Sequence, residues 1–288
     1  MSYKDTKPKG LFVTDLDGTL LRSDGTFAVS DLETLDRLGT LRIIRVIATG
    51  RSIFSFKSAV DSNKPVDYVV FSNGAGVLKH PESHILKKES LSAEEVNKAI
   101  QVFRQVRLDF MVHRPIPDNH MFAFWRSNAE NVDFEKRLSR YETFSRPLDG
   151  TGTGFGPATQ LLGVAPPSRG IKILEIIQEA LPGFNIIRTT SPLDGKSIWI
   201  ELFPYHVSKG SATAWLSQRL GLKSESVCAV GNDYNDTTLL EWSGSGFVVE
   251  NAPEDLRARF SCVSSNDDCG VTNAVKRWLG SRTSEIGN

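Results

Sequence analysis

Short apolar runs that stop abruptly at polar, glycine-containing turns punctuate the first part of the chain. Leu11-Phe12-Val13 ends at Thr14-Asp15-Leu16-Asp17-Gly18-Thr19, Ile43 to Ala48 ends at Thr49-Gly50-Arg51, and Tyr68 to Phe71 ends at Ser72-Asn73-Gly74. Apolar runs this short, bounded by turn residues, read as buried strands. After the first of them, Ser30-Asp31-Leu32-Glu33 has the form of a capping box. Leu32, Leu35 and Leu38 follow on one helical face, with Gly39 as the stop. Strand–helix–strand–helix–strand order predicts an α/β fold, a doubly wound parallel sheet with helical crossovers.

The pattern changes near residue 80. Ser92 and Glu95 form a second capping box before a helix whose apolar face carries Val96, Ala99, Ile100 and Phe103. Strands are predicted at Leu108–His113, Met121–Trp125, Gln160–Ala165, Phe184–Arg188 and Ser197–Phe203, with helices near Asn128–Arg140 and Gly170–Ala180. The first pattern then resumes: a helix from Lys209 to Leu220 closed by Gly221, a strand Val227–Val230, a turn, and a strand Phe247–Val249. The expected organisation is a core of residues 1–79 and 205–288 with an α+β domain, residues 80–204, inserted in it. The tail from Gly280 is expected to fray. Gly150-Thr151-Gly152-Thr153-Gly154-Phe155-Gly156 follows no predicted strand and is stopped by Pro157, so it reads as a loop and not a phosphate cradle.

Composition narrows the partners. In 288 residues, 34 Lys and Arg balance 34 Asp and Glu, which argues against nucleic acid or an acidic membrane surface as the main partner. No apolar run approaches the roughly 18 residues of a membrane span, and the Lys-rich start shows no secretory signal. Cys228, Cys262 and Cys269 lack C-x-x-C spacing and read as reduced thiols of a cytoplasmic protein.

Four strand ends carry chemistry. Asp15 and Asp17, two apart in extended backbone, can point into one crevice, and crevices at the carboxyl ends of such sheets bind ligands. Two carboxylates about 4 Å apart repel by roughly 4 kcal/mol at an effective dielectric near 20; a hard cation such as Mg²⁺ would relieve this. Thr49 and Gly50 offer a hydroxyl and backbone N–H groups. Lys209, just after the helix N-cap candidate Ser208, opposes the helix dipole unless an anion is held there. Gly231-Asn232-Asp233-Tyr234-Asn235-Asp236 clusters oxygen-bearing side chains after a strand. Each piece alone also reads as an ordinary turn, cap or surface group; it is their joint order that points to a phosphate-and-metal site.

These pieces, Asp15-Leu16-Asp17-Gly18-Thr19-Leu20-Leu21, Ala48-Thr49-Gly50-Arg51, Asn73-Gly74-Ala75, Lys209-Gly210 and Gly231 to Asp236, resemble the haloacid dehalogenase superfamily, in particular its Cof-type, type IIB branch. The resemblance spans nearly the whole chain and implies a Rossmann-like core with an inserted cap. It also implies an Mg²⁺-dependent phosphatase of small phosphorylated metabolites, sugar phosphates among them, working through an aspartyl-phosphate. In it Asp15 is the nucleophile and Asp17 the acid/base. Thr49, Gly50, Lys209 and Asn235 hold phosphate, and Asp15, Asp17, Asn232 and Asp236 form the metal side. One departure stands out: the position of Asn232 is commonly Asp, so either Asn232 is a weaker ligand or Asp233 replaces it. A hexose-phosphate mutase and a catalytically weak phosphometabolite sensor are the alternatives. In the cap, Arg114, Asp118, Asn119 and His120 are candidates for contacting the leaving group.

Overall fold

The computed structural model describes residues 7–127, 129–150 and 155–285. Three strands open the chain, β1 (Gly10–Thr14), β2 (Ile43–Ala48) and β3 (Tyr68–Phe71), connected by helices α1 (Val29–Thr40) and α2 (Ile53–Lys57). A hairpin follows, β4 (Gly76–Lys79) and β5 (His84–Lys88). The chain then builds a second unit from α3 (Ala93–Gln105), β6 (Asp109–His113), β7 (Phe122–Trp125), α4 (Val132–Arg140) and β8 (Ser145–Pro147). That unit is completed by β9 (Gln160–Ala165), α5 (Pro167–Ala180), β10 (Phe184–Thr190) and β11 (Ile198–Pro204). On return come α6 (Lys209–Arg219), β12 (Val227–Gly231), α7 (Thr237–Trp242) and β13 (Ser245–Val249), then α8 (Glu254–Arg259), β14 (Ser261–Val263) and α9 (Gly270–Glu285).

Among the described residues the first unit holds a sheet in the order β14-β13-β12-β1-β2-β3-β4-β5. Neighbours from β14 to β3 run parallel, and β4 turns back antiparallel on β3. The chain winds from β1 towards β3 on one side and continues from β12 on the other. The topological switch point therefore lies between β1 and β12, and ligands of such sheets bind there. One face of the strands packs Leu11, Val13, Val46, Ala48 and Val70 against Ala212 and Leu216 of α6 and Leu239 and Leu240 of α7. Strands buried on both faces explain the near-continuous apolar runs in the sequence.

The second unit is a sheet in the order β10-β11-β9-β6-β7-β8, antiparallel apart from the β7–β8 edge. Val96, Ala99, Ile100 and Phe103 of α3 and Ile173 and Ile177 of α5 cover Phe110, Leu161 and Ile200. On the other cluster, Phe134 and Leu138 of α4 pack with Met111, Phe122, Leu162 and Trp199. The two ends of this unit meet: Glu89 Oε2 lies 3.2 Å from His206 Nε2, and the Asn185 amide donates to the Val207 carbonyl.

Several expectations change. The chain leaves the first unit at Lys87 and returns at Ser208, with Ser52–Ser55 grouped with the second unit; the division expected near residue 79 falls later because the β4–β5 hairpin extends the first sheet, and residues 205–207 after β11 still belong to the second unit. The Ser30 capping box does not form. The α1 helix begins at Val29 after Ala28 without a side-chain cap, and the Ser30 hydroxyl donates to Cys269 Sγ at 2.9 Å instead. Gly39 does not stop the helix, which runs to Thr40. The Ser92–Glu95 box does form. The tail from Gly280 is helical through Glu285. Of the glycine-rich stretch, residues 151–154 lie outside the described residues, as does Asn128 of the predicted helix that starts at Val132.

Candidate active site

The switch-point crevice is built around one buried ammonium. Ser208 caps α6, its side chain accepting from the Ser211 N–H, which sets Lys209 at the first helical position. Lys209 Nζ is wholly buried and donates to Asp15 Oδ1 at 2.6 Å and Asp236 Oδ1 at 2.7 Å. Two carboxylates thus supply the anions that a lysine in the first turn of a helix needs. Burial pulls the Lys209 proton affinity down, but the attraction of Asp15 and Asp236 outweighs it and the net shift is upward. Burial pushes Asp15 up to about 7 against the pull of Lys209, with Asp236 and Asp17 adding repulsion. A single ammonium shared by a group of carboxylates leaves Asp15 under-compensated.

Asp236 is anchored on both sides. Its Oδ2 accepts from the backbone N–H groups of Asn232 at 2.9 Å and Asp233 at 3.2 Å. With Oδ1 on Lys209, its carboxylate braces the loop and the lysine, the support for Lys209 that the resemblance implies. The Asp233 side chain is the cap of the short turn Tyr234–Asp236 and accepts from the Tyr234 N–H at 2.8 Å.

Asp15 and Asp17 leave the same strand end but take different partners. Asp17 is held by Arg51 through two bonds, Nε to Oδ2 at 2.8 Å and Nη2 to Oδ1 at 2.6 Å. This fork geometry is what a guanidinium offers and an ammonium does not. Arg51 was quoted in the sequence only as part of the motif after β2; its neighbour Gly50 and the bidentate reach of arginine were the available signal.

The loops after β2 and β3 interlock. Thr49 Oγ1 accepts from the Arg51 N–H at 3.1 Å, and Asn73 N–H donates to the Thr49 carbonyl at 3.1 Å. Asn235 Nδ2 donates to Asn73 Oδ1 at 3.0 Å, tying the loop after β12 to this turn. Asn73 Nδ2 is buried with no partner among the described residues, and a Cβ on Gly50 would stand 3.5 Å from it. Sequence reasoning had named Asn73 without giving it a role. Gly74 takes φ +102°, and a Cβ there would come within 2.1 Å of the Ser208 carbonyl. Only glycine lets the start of α6, with Lys209, approach this turn so closely.

The cation question turns on Asn232. One atom of its side-chain amide lies 3.2 Å from Asp15 Oδ2, from the Asp17 carbonyl oxygen and from Thr19 Oγ1. Asp15 Oδ2 and the Asp17 carbonyl thus face one point, and hard oxygen donors of this kind suit Mg²⁺. No cluster of three His, Cys, Asp or Glu groups arranged for a metal occurs among the described residues. The donor set is one carboxylate, one main-chain carbonyl and an amide.

In the second unit, the candidates Arg114, Asp118, Asn119 and His120 fall in the turn between β6 and β7. There His113 Nδ1 bonds the Asn119 carbonyl at 2.8 Å. The His120 ring stacks on Phe54 at 4.6 Å between centroids.

A doubly wound α/β sheet with a buried lysine–carboxylate cluster at its switch point, interrupted by an α+β insertion, defines a class of enzyme that handles anionic ligands at strand ends. Residues 12–275 match the family of haloacid dehalogenase-like hydrolases, and the chain belongs to that family. It is 24% identical over 289 residues to the 5-amino-6-(5-phospho-D-ribitylamino)uracil phosphatase YwtE of Bacillus subtilis, covering 92% of this chain and 96% of that one. It is 26% identical over 268 residues to the HMP-PP phosphatase of Escherichia coli O6:H1, covering 92% and 94%. A solved structure described as a subclass IIB sugar phosphatase, BT4131, superposes with a TM-score of 0.74 at 17% identity, covering 93% of this chain and 98% of that chain. The Rossmann-like core with an inserted cap is therefore the fold of this chain. No helix of the described residues is long and apolar enough to cross a membrane.

Proposed function

We propose that this enzyme is a Mg²⁺-dependent phosphatase of small phosphate monoesters, sugar phosphates among them, that works through an aspartyl-phosphate. The observation that carries the reading is the Asp15 carboxylate, held 2.6 Å from the buried Lys209 ammonium at the end of β1. A carboxylate oriented by a fixed cation at a sheet's switch point is the arrangement that nucleophilic phosphoryl transfer requires. Its relatives named as phosphatases support the reaction, and their differing substrates leave the leaving group at the level of a class.

The reaction has two displacements. An Asp15 oxygen attacks phosphorus, the ester P–O bond breaks, and the leaving alkoxide takes a proton from Asp17. Asp17 then takes a proton from water as that water attacks phosphorus; the acyl-phosphate bond breaks, returning Asp15 and releasing phosphate. For Asp17 to give or take a proton, one of its two bonds to Arg51 must open. Lys209, Thr49, Gly50 and the Asn73–Asn235 pair line the side on which phosphate oxygens are held, supplying fixed positive charge and donors. Mg²⁺ held by Asp15 and the Asp17 carbonyl would neutralise the charge shared by nucleophile and phosphate. Asn232 borders that side, and Asp236 supports it from behind by holding Lys209 and the loop.

The test is a panel of phosphate esters assayed for released phosphate with Mg²⁺, after chelation, and with Asp15→Asn. Expected is hydrolysis of some esters, lost with EDTA, restored by Mg²⁺ and reduced at least a hundredfold in the variant. Full turnover after exhaustive chelation removes the cation from the reading; turnover by Asp15→Asn removes the covalent intermediate. A hexose 1-phosphate converted to its 6-phosphate without free phosphate makes the enzyme a mutase.

A further inference from the structure

Two asparagines to which the sequence assigned no role grip the turn that carries Asp17. Asn251 follows β13 and Asn266 follows β14, so both stand beyond carboxyl ends of strands in the first unit's sheet. Asn251 Nδ2 donates to the Gly18 carbonyl at 2.8 Å, and its Oδ1 accepts from the Asn266 N–H at 3.0 Å. Asn266 is buried and donates from Nδ2 to the Leu21 carbonyl at 3.0 Å. All three partners are main-chain groups with one role each, a carbonyl accepting and an N–H donating, which sets the orientation of both amides. Next along the chain, the Asp267 carboxylate accepts from the Ser23 N–H at 2.9 Å and from its hydroxyl at 2.7 Å.

The gripped turn closes on Leu16, whose carbonyl accepts from the N–H groups of Leu20 at 3.1 Å and Leu21 at 2.8 Å. Asp17 and Gly18 lie inside it. Gly18 takes φ +73°, and a Cβ there would come within 2.6 Å of the Asn232 amide, so the position is confined to glycine. Glycine also has the freest backbone of any residue, and this one directly follows Asp17. A contact from outside the turn has to remove that freedom, and Asn251 does so at the Gly18 carbonyl. We propose that Asn251, backed by Asn266, is a positioning residue for Asp17, holding the turn so that the Asp17 carboxyl meets the leaving oxygen. The inference rests on the phosphatase reading, in which Asp17 protonates that oxygen. Proton transfer needs the heavy atoms within about 3.2 Å, and a misplacement of about 1 Å can cost on the order of a hundredfold in rate. Arg51 holds the Asp17 carboxylate itself, but one of those bonds opens during the reaction. The main-chain hold is the one that persists through it.

Asn251 is exposed, so its variants are expected to fold, which urea midpoints verify. Asn251→Asp keeps an acceptor for the Asn266 N–H and loses the donor to Gly18; Asn251→Ala loses both. The kcat/KM of the full-length chain covers the steps up to departure of the leaving group. It is compared for an alkyl phosphate and for p-nitrophenyl phosphate, whose phenolate leaves without a proton. Expected in both variants is a loss of about tenfold or more on the alkyl ester and of less than about threefold on the nitrophenyl ester. Asn251→Asp is expected to be no milder than Asn251→Ala, although it retains the tie between the two loops. Equal losses on the two esters overturn the proposal, since a disturbance of the whole site slows both. Undiminished alkyl-ester hydrolysis in both variants overturns it as well and leaves the phosphatase reading intact. Asp17→Asn, measured beside them, tests the reading underneath and is expected to show the same contrast at larger size. Without that contrast the acid role of Asp17 falls and the proposal with it, and a wild type that hydrolyses neither ester overturns the phosphatase reading altogether.

Discussion

A single ammonium group bears much of the site's electrostatics. Lys209 has no access to solvent, Asp236 has none either, and Asp15 has little. Removing one member of a buried charge cluster leaves the others uncompensated, a loss of roughly 3–5 kcal/mol. Lys209→Met is accordingly expected to lower the urea midpoint sharply at pH 7.5 and to reduce turnover by roughly a hundredfold or more. The sign of the pH effect follows from Asp15, whose carboxyl is already raised from 3.8 to about 7 by burial. Without Lys209 it rises further, so the folded variant takes up a proton that the unfolded chain does not. Stability lost at pH 7.5 is then partly recovered as pH falls through that raised value. Urea titrations at pH 7.5 and 5.5 check this; equal destabilisation at both would show that Lys209 matters for packing alone. At this scale the sequence was legible where one residue type had one use. Asp15, Thr49, Lys209 and the loop from Asn232 to Asp236 stand together in one unit, each at a strand end or a helix start. What Asp17 bonds was not legible, since its partner Arg51 could as well have been a solvated surface residue. The orphan Nδ2 of Asn73 is a property of three loops at once and has no signature in any one of them.

Elements whose identity rested on local pattern came out closely, and those decided by distant contacts did not. β2, β3 and β9 have the predicted bounds because apolar runs there end at glycine or proline turns. The α1 start was misjudged because its polar residues serve α9: Asp31 accepts from Thr272 N–H at 2.9 Å and from its hydroxyl at 2.6 Å. A carboxylate committed to a partner some 240 positions away cannot be told from a capping residue by spacing. β8 is three residues long and pairs with a sheet edge, too short for any alternation to show. Within β6, His113 makes an element-level prediction. Its Nδ1 carries the proton, because the Asn119 carbonyl can only accept, and Nε2 is buried without a partner. Burial holds its proton affinity down, from 6.5 to about 3, with Arg137 adding to the effect. Between those values the unfolded chain binds a proton that the folded chain refuses, so stability falls as pH drops below about 6.5. At pH 5 the loss is about 2 kcal/mol. His113→Phe is expected to remove this part of the difference between urea midpoints at pH 7.5 and pH 5. An undiminished difference in the variant would assign the acid sensitivity to other groups.

Among the described residues the chain forms two units, one continuous apart from Ser52–Ser55 and one divided. Residues 88–207 run without interruption and bury their own clusters around Phe103, Phe110 and Ile177 and around Phe134 and Trp199. The other unit needs segments from both ends of the chain, since β1 pairs with β12. A fragment of residues 88–207 is therefore expected to fold alone, with a cooperative urea transition and native-like circular dichroism. A broad, non-cooperative profile would show that its sheet depends on the rest of the chain. The change of pattern near residue 80 was the sequence's signal for this division, and the β4–β5 hairpin is why the change came early.

The contact between Glu89 and His206 bears on inheritance. Where a long insertion begins and ends at neighbouring points, its host experiences little more than an extended turn, whatever its length, because closing a longer loop adds only slowly to the entropic cost. Between β5 and α6, then, a lineage could lengthen, trim or exchange this segment while the strands bearing Asp15 and Lys209 kept their register. Recognition of the leaving group and transfer of phosphate are thereby open to separate selection, and a laboratory chimera could follow the same route, grafting another fold with adjacent termini at these two crossings.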